Sequence, residues 1–291
     1  MSGFVGSFCE QQLGAIDLVH EGRVVDLRDR EATAAAVERI RPAEVIHLAA
    51  QSSVADSIAN PSLTYQVNFE GTLNLLLALR DCGFRGRMLY VGSGDCYGAV
   101  DEADLPVTED RPLKPLNPYA VSKTAGEALC YQWSRGGPFQ IVIARPFNHI
   151  GPRQSERFAV ASFARQIAAR RCGGADGVMT VGDIEITRDF TDVRDIVRAY
   201  AMLLRLGRNG ESYNVCSGVE RSLREVIRSM LDASGVEMEI RVDESRLRRS
   251  EQRRMRGSFA KLQADTGWQP EIPFERTLID TLDYWERKER A

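Results

Sequence analysis

Short apolar runs alternate with longer helical patterns between about residue 15 and residue 145. This alternation is typical of parallel strands joined by crossover helices. The runs VIHLAA and RMLYVGS are continuously apolar, which predicts strands buried on both faces. The strand candidates cover residues 23–27, 44–49, 87–92 and 139–145. The pattern therefore predicts an α/β fold built on a doubly wound parallel sheet.

Helical patterns fill the gaps between these strands. Residues 31–41 are rich in alanine and stop at Pro42, and Pro61 begins a long pattern with one apolar stripe. After residue 150 the pattern is less regular, with helix candidates at residues 157–171, 193–206 and 222–233. We expect a dinucleotide-binding domain over residues 1–150, which also receives segments near 178–215. A smaller α/β lobe over residues 151–291 would bind the substrate, with a cleft between the two.

Composition excludes several functional classes. A formal net charge of -3 argues against a general nucleic-acid binder, which needs an excess of cations. The six cysteines are scattered without ligand-like spacing, so we expect no metal site and no disulfide framework. The N-terminus does not resemble a signal peptide, and the longest apolar stretches are too short to span a bilayer. We expect a cytoplasmic protein without a membrane partner.

The segment NPYAVSKTAGEAL contains a pair with proton-transfer chemistry. Good helix formers follow its proline, so Tyr119 and Lys123 should lie one turn apart on one face of a helix. A phenol titrates near about pH 10, and a nearby ammonium favours the phenolate. The pair could thus transfer a proton close to neutrality. The alternative is an exposed aromatic side chain beside a solvated lysine, because this spacing often arises by chance.

Ser93 strengthens the first interpretation. It follows the predicted strand RMLYVGS, at the carboxyl edge where open α/β sheets bind ligands. Its hydroxyl could polarise a carbonyl oxygen while Tyr119 protonates it and a nicotinamide delivers hydride. The alternative for Ser93 is a turn-forming serine before Gly94.

Half of a glycine fingerprint stands at the N-terminus. In SGFVGS, Gly3 and Gly6 resemble the second half of a dinucleotide-binding turn. The first strand and first glycine of that motif have no counterpart, so we expect the first strand of the sheet to be missing from this chain. An alternative is that the natural protein begins upstream of Met1.

In their order along the chain, GFVG, VVDL, HLAA, NFEGT, VGSGDCYG, YAVSK and ARPFN resemble the extended short-chain dehydrogenase/reductase superfamily, the NAD-dependent epimerase/dehydratase family. The similarity covers nearly the entire chain. ARPFNHIGPRQ, TRDFTDV and YNVCSG are most similar to the branch that reduces GDP-4-keto-6-deoxyhexoses. The resemblance implies a Rossmann fold and NAD(P)H-dependent reduction of a C4 ketone to give GDP-6-deoxy-D-mannose.

The resemblance also implies roles for individual residues. Ser93 and Tyr119 would contact the C4 oxygen, Tyr119 as proton donor, and Lys123 would hold the nicotinamide ribose. Asn68 is expected to stabilise backbone. With Tyr119 and Lys123, the implied cofactor contacts are Gly3, Phe4, Val5, Gly6, Asp26, Leu27, Leu48, Ala49, Ala50 and Pro146. The implied nucleotide-sugar contacts are Gln51, Ser53, Asn148, Arg153, Arg188, Arg248 and Glu251.

The two residues that follow Ser93 favour reduction over elimination. Related dehydratases place acidic or polar residues there, whereas this chain has Gly94 and Asp95. Glycine supplies no acid for a departing hydroxyl. A nucleotide-sugar 4-epimerase remains an alternative, since it needs the same three residues and room for its substrate to rotate. A non-catalytic nucleotide-sugar or dinucleotide binding protein is the other alternative, motivated by the half fingerprint.

The resemblance favours two further properties. NADPH is expected over NADH, because Arg23 could act as the cation that usually recognises the additional phosphate. Relatives commonly form homodimers through a four-helix bundle. Here each subunit would contribute residues 61–80 and 119–134.

Overall fold

The computed structural model describes residues 3–174, 176–247 and 252–290, in which strands and helices alternate. The strands are β1 (Val19–His20), β2 (Arg23–Val24), β3 (Glu44–His47), β4 (Arg87–Val91), β5 (Gln140–Pro146), β6 (Asn148–Ile150), β7 (Val178–Val181), β8 (Thr187–Asp192), β9 (Ser212–Val215), β10 (Glu220–Ser222) and β11 (Glu239–Val242). The α-helices are α1 (Phe4–Leu13), α2 (Arg30–Ile40), α3 (Val54–Ala59), α4 (Pro61–Tyr65), α5 (Gly71–Asp81), α6 (Pro118–Gly136), α7 (Ala159–Arg171), α8 (Val193–Leu206), α9 (Leu223–Ser234), α10 (Ala260–Thr266) and α11 (Phe274–Glu289).

The main sheet is parallel and has the order β3-β4-β5-β9. Alternate residues of β4 enter two different cores, as the pleat requires. Met88 and Tyr90 pack with α5 and α6 on one face. Leu89 and Val91 pack with α8 on the other. Helices on both faces of a parallel sheet confirm the predicted doubly wound Rossmann-type fold.

Only the first two residues of the predicted strand over residues 23–27 form a strand, and that strand does not join the main sheet. Arg23 and Val24 form a short antiparallel ribbon with β1, where Arg23 is opposite His20. Both residues are exposed, so the segment lacks the two buried faces of a strand in the main sheet. The chain then turns, and Leu27 packs against α5.

The run VIHLAA is less buried than its composition predicts. Val45 and Ile46 are half-buried, because β3 is an edge strand of the main sheet in the described ranges. The strand ends at His47, so the last residues of the run leave the sheet.

The second lobe has its own core. A three-stranded sheet of order β10-β8-β6 and the parallel pair β11-β7 lie beside α7, α9 and α11. The predicted helices at residues 157–171, 193–206 and 222–233 correspond to α7, α8 and α9. Of these, α8 packs on the main sheet.

None of the described helices is long and apolar enough to cross a bilayer. Within the same ranges, no group of three His, Cys, Asp or Glu side chains could hold a metal ion. All six cysteines are unpaired.

Candidate active site

Helix α6 presents the predicted proton-transfer pair. The Asn117 side chain accepts a hydrogen bond from the backbone N of Ala120 at 2.8 Å, and Pro118 occupies the first helical position. Both features favour a helix start at this point. Tyr119 therefore lies in the first turn, with Lys123 one turn further along. Tyr119 is half-buried and Lys123 is buried, which excludes the alternative of a solvated surface pair.

Ser93 approaches Tyr119 from the sheet. It lies two residues beyond the end of β4 and is buried, and its Oγ accepts a hydrogen bond from the backbone N of Asp95 at 3.2 Å. The Ser93 side chain lies close enough to the Tyr119 phenol for hydrogen bonding to it to lower the pKa of the phenol. The structure thus brings the two predicted hydroxyl groups together at the carboxyl edge of the main sheet.

The Lys123 ammonium is held by the sheet. Its Nζ donates to the backbone carbonyl of Val91 at 2.8 Å and lies 5.4 Å from the centre of the Tyr90 ring. Burial lowers the pKa of Lys123 from 10.5 to about 8.

The expectation that Lys123 lowers the pKa of Tyr119 is wrong for this structure. Burial raises the Tyr119 pKa, the charge of Asp95 raises it further, and the hydrogen bond to Ser93 opposes them. The ammonium of Lys123 is instead engaged by the Val91 carbonyl. Tyr119 is consequently a neutral phenol at physiological pH, which suits a proton donor.

His47 is a neighbour of Lys123 that the sequence reasoning missed. Its Nε2 lies 2.8 Å from the Thr72 hydroxyl, and that hydroxyl donates to the Asn68 carbonyl at 2.6 Å. Because the hydroxyl has a single proton, Nε2 must be the donor to Thr72. Burial, followed by the charge of Lys123, lowers the pKa of His47 to about 3, so the ring is neutral. The sequence signal that could have identified His47 was a histidine within the otherwise apolar run VIHLAA.

Asn68 connects the segment that follows β3 to helix α6. Its Oδ1 accepts from the backbone N of Gln51 at 2.7 Å, and its Nδ2 donates to the Gln51 carbonyl at 3.1 Å. The same Nδ2 donates to Ser122 of α6 at 2.8 Å. Asn68 belongs to a π-helical turn, Gln66–Glu70, between α4 and α5. The predicted role of Asn68 in stabilising backbone is confirmed.

The predicted diphosphate-binding segment begins α1. Gly3 is its N-cap with φ 101, a conformation that favours glycine, and the first turn contains no acidic side chain. Phe4, Val5 and Gly6 follow in that turn. The free N–H groups of a helix N-terminus suit a diphosphate, so these residues fit a dinucleotide.

The other expected cofactor residues occupy the same edge or its border. Leu48, Ala49 and Ala50 directly follow β3, and Pro146 is the last residue of β5. Asp26 and Leu27 lie beyond β2, where Asn74 donates to the Leu27 carbonyl at 2.8 Å.

Asp26 has an arginine neighbour that the sequence reasoning missed. Asp26 is exposed and accepts from Nε of Arg28 at 3.0 Å, whereas the predicted cation Arg23 lies in β2. The sequence signal that could have identified Arg28 was a cation two residues after an acidic residue.

The expected nucleotide-sugar residues are distributed over both lobes. Gln51 donates from Nε2 to the Ser53 carbonyl at 2.9 Å, and its Oε1 is buried without a hydrogen-bond partner. The Ser53 hydroxyl caps α3 by accepting from the backbone N of Asp56 at 3.2 Å. Asn148 is exposed at the start of β6, and Arg188 lies in β8. Arg248 and Glu251 lie outside the described residues.

Arg153 contacts α1. Its guanidinium lies 5.0 Å from the centre of the Phe8 ring, and its Nη2 donates to Gln11 at 3.3 Å. Its φ of 72 is in the left-handed region, which is unusual for a non-glycine residue. Arg153 therefore contacts the first helix, whose N-terminus fits the cofactor diphosphate.

Gly94 lies against a phenylalanine. A Cβ atom at Gly94 would be 3.1 Å from the Phe147 ring, tighter than ordinary contact, and Phe147 is buried. Asp95, the next residue, is exposed, and its charge acts on Tyr119. The arrangement can polarise and protonate a carbonyl oxygen, and position 94 offers no second acid.

Comparison with known proteins gives consistent matches. Residues 10–281 match the family model described as GDP-mannose 4,6 dehydratase. The chain is 46% identical over 294 residues to the GDP-6-deoxy-D-mannose reductase of Pseudomonas aeruginosa, covering 100% of this chain and 96% of the relative. It is similar to the solved structure of RMD from Pseudomonas aeruginosa complexed with NADPH, with a TM-score of 0.92, 45% identity and coverage of 98% and 96% of the two chains. A UDP-glucose 4-epimerase of Thermus thermophilus in complex with NAD matches with a TM-score of 0.86, 31% identity and coverage of 97% and 96%.

Proposed function

Since the chain belongs to the GDP-mannose 4,6-dehydratase family of extended short-chain dehydrogenases/reductases, we propose that it is an NAD(P)H-dependent oxidoreductase that reduces the C4 ketone of a GDP-4-keto-6-deoxyhexose to GDP-6-deoxy-D-mannose. The observation that carries the proposal is the Ser93 side chain beside the Tyr119 phenol, next to a Gly94 that has no side chain. The similarity to the Pseudomonas aeruginosa reductase over the full chain supports it.

The site residues have different roles at the C4 oxygen of the substrate. When bound, the nicotinamide supplies a hydride to C4. Ser93 and Tyr119 hydrogen-bond to the C4 oxygen, and Tyr119 transfers its phenolic proton to that oxygen as negative charge develops there. Lys123, fixed by the Val91 carbonyl, would hold the nicotinamide ribose. The product is the C4 alcohol.

Two other functions remain candidates, with less support. A 4-epimerase keeps its NAD through the cycle, and the Thermus thermophilus epimerase shares the fold. A non-catalytic binding protein would have no need for the buried Lys123 or for a Ser93 side chain beside Tyr119. Net consumption of reduced cofactor separates reduction from both.

NADPH is the proposed cofactor. The first turn of α1 fits the diphosphate, and Arg28 adds a cation to the Asp26 region, where Arg23 was expected to act. The similar Pseudomonas aeruginosa structure contains NADPH. We propose that Arg28 assists Arg23 in favouring the phosphorylated dinucleotide.

We further propose a homodimer through a four-helix bundle. Apolar side chains are partly exposed on α4 and α6: Tyr65 is 37% exposed, Val121 38% and Tyr131 49%. A second copy of the chain, packed through these two helices, would bury them. We also propose the division into domains at residues 1–150 and 151–291, and a cytoplasmic location, which the six unpaired cysteines suit.

The proposed activity is tested by mixing the protein with GDP-4-keto-6-deoxymannose and either NADPH or NADH. Loss of reduced-nicotinamide absorbance, with one cofactor oxidised for each sugar, is the expected result. Binding of the sugar without cofactor oxidation would refute the reductase function.

A further inference from the structure

A buried carboxylate in β8 joins three separate segments. Asp189 is 0% exposed. One oxygen accepts from the backbone N of Ser217 at 2.7 Å and from its hydroxyl at 2.6 Å. The other accepts from the backbone N of Gly218 at 2.9 Å and of Gly257 at 3.1 Å. Asp189 thus ties β8 to the turn after β9 and to the segment before α10.

These bonds require a carboxylate. An ionised Asp accepts on both oxygens, and here every partner is a donor. An amide of the same shape would direct N–H groups at two of those donors and leave them unsatisfied. Burial raises the pKa of Asp189, while the donors on Ser217, Gly257 and Gly218 oppose the shift.

Gly257 transmits the contact toward the proposed active site. A Cβ atom at Gly257 would lie 2.7 Å from both the Cys216 sulfur and the Phe147 ring, so its backbone packs directly on them. Phe147 in turn packs on Gly94. The neighbours in sequence are Ser93 before Gly94 and Asn148 after Phe147.

We propose that Asp189 is a positioning residue for the nucleotide-sugar site: it holds Gly257 against Phe147, and Phe147 fixes the Ser93 turn and the Asn148 strand. The inference rests on the proposed function. Its effect is expected to be larger on nucleotide-sugar binding than on cofactor binding, because the expected diphosphate residues lie on α1 and Leu48, Ala49 and Ala50 follow β3.

Asp195 provides a matched control. This carboxylate on α8 is also buried, and it accepts from the backbone N of Glu271 at 3.0 Å and of Ile272 at 2.9 Å. It ties α8 to the segment before α11. Asp195→Asn therefore removes a buried carboxylate that accepts from backbone N–H groups, together with its ion pair to Arg198, from a joint that does not include Phe147.

The test compares Asp189→Asn with Asp195→Asn. For each variant, the Kd of GDP by calorimetry, the Kd of NADPH by fluorescence, KM, kcat and Tm are measured. We expect both substitutions to lower Tm. Asp189→Asn alone should raise KM for the nucleotide-sugar and the Kd of GDP about tenfold, as expected for lost hydrogen bonds to a charged group, with the Kd of NADPH within about twofold of wild type.

Ser217→Ala covers the case in which Asp189→Asn fails to fold. It removes the hydroxyl donor and keeps the backbone donors, and it should raise the Kd of GDP about threefold with the Kd of NADPH unchanged. Equal effects of Asp189→Asn and Asp195→Asn on the Kd of GDP would overturn the proposal. So would a Kd of GDP that Ser217→Ala leaves unchanged.

The outcome separates this inference from the proposed function. If wild type binds GDP but does not oxidise NADPH, the reductase function fails, and the Kd comparison still decides the role of Asp189. If wild type does not bind GDP, both are overturned.

Discussion

The Ser93 side chain lies beside the Tyr119 phenol and lowers its pKa, where helix α6 meets the carboxyl edge of the main sheet. The two groups come from different elements, since one begins a helix and the other follows a strand. Two separate sequence motifs therefore form one binding site for a single oxygen atom.

Removal of either hydroxyl should reduce turnover and preserve substrate binding. We expect Tyr119→Phe to lower kcat by about 10³-fold and Ser93→Ala by about 10²-fold, because the first removes the proton donor and the second a hydrogen-bond donor. Steady-state kinetics and GDP calorimetry measure both effects. Tyr131→Phe, an exposed tyrosine on the same helix, is the control and should retain wild-type kcat. Wild-type turnover by Tyr119→Phe would exclude its role as proton donor.

The burial of protonated Lys123 should lower the free energy of unfolding at neutral pH. Its pKa falls from 10.5 to about 8, equivalent to roughly 3 kcal/mol. Below pH 8 both the folded and unfolded states are protonated and the cost is complete. Between pH 8 and 10.5 the folded state loses its proton first, so the cost disappears as pH rises.

The measurement compares Lys123→Met with wild type in urea at several pH values. The variant should gain about 2 kcal/mol at pH 7, because the lost hydrogen bond to Val91 offsets part of the relief. This gain should shrink between pH 8 and 10.5. A difference that does not vary with pH would contradict the assigned pKa.

Gly94 should tolerate no side chain without cost. A Cβ atom would approach the buried Phe147 ring to 3.1 Å, so we expect Gly94→Ala to lower the free energy of unfolding by about 1–2 kcal/mol and to reduce kcat. Gly136→Ala is the control, since its Cβ would be 3.9 Å from its nearest neighbour, Gln132. Urea unfolding and steady-state kinetics measure both variants, and equal stabilities would argue against tight packing at Gly94.

The dimer proposal predicts sensitivity on one face of α6. Val121→Asp places a charge in the proposed bundle and should shift the protein to monomers in sedimentation equilibrium. Val219→Asp, at a valine 47% exposed outside both helices, should leave the association state unchanged. If both variants retain the wild-type mass, the bundle is not the interface.

Periodicity and residue spacing in the sequence were sufficient to predict helix α6 and strand β4. Helical spacing placed Tyr119 over Lys123, and the apolar run of β4 placed Ser93 at the sheet edge. Whether residues 23–27 join the sheet depended on neighbours distant in sequence, and Arg23 and Val24 form a ribbon with β1 instead. The pKa of Tyr119 is raised mainly by burial, which spacing cannot predict, and the Lys123 ammonium that was expected to lower it donates to the Val91 carbonyl instead.

The tautomer of His47 is a second property that the sequence alone does not determine. Its strand was predicted, but its tautomer follows from a Thr72 hydroxyl that already donates to the Asn68 carbonyl. The proposed role of Asp189 cannot be predicted from the sequence either, because its donors come from two separate segments, Ser217 with Gly218 and Gly257.

The central claim is that Ser93 and Tyr119 serve hydride transfer to C4 of a GDP-linked ketosugar. The most direct measurement supplies NADPH carrying deuterium at the transferred position and examines the product sugar by NMR and mass spectrometry. The account predicts one deuterium at C4, a GDP-6-deoxy-D-mannose product and one NADPH oxidised for each sugar reduced. A sugar that remains bound and unlabelled, or a C4 epimer formed without NADPH oxidation, would contradict it.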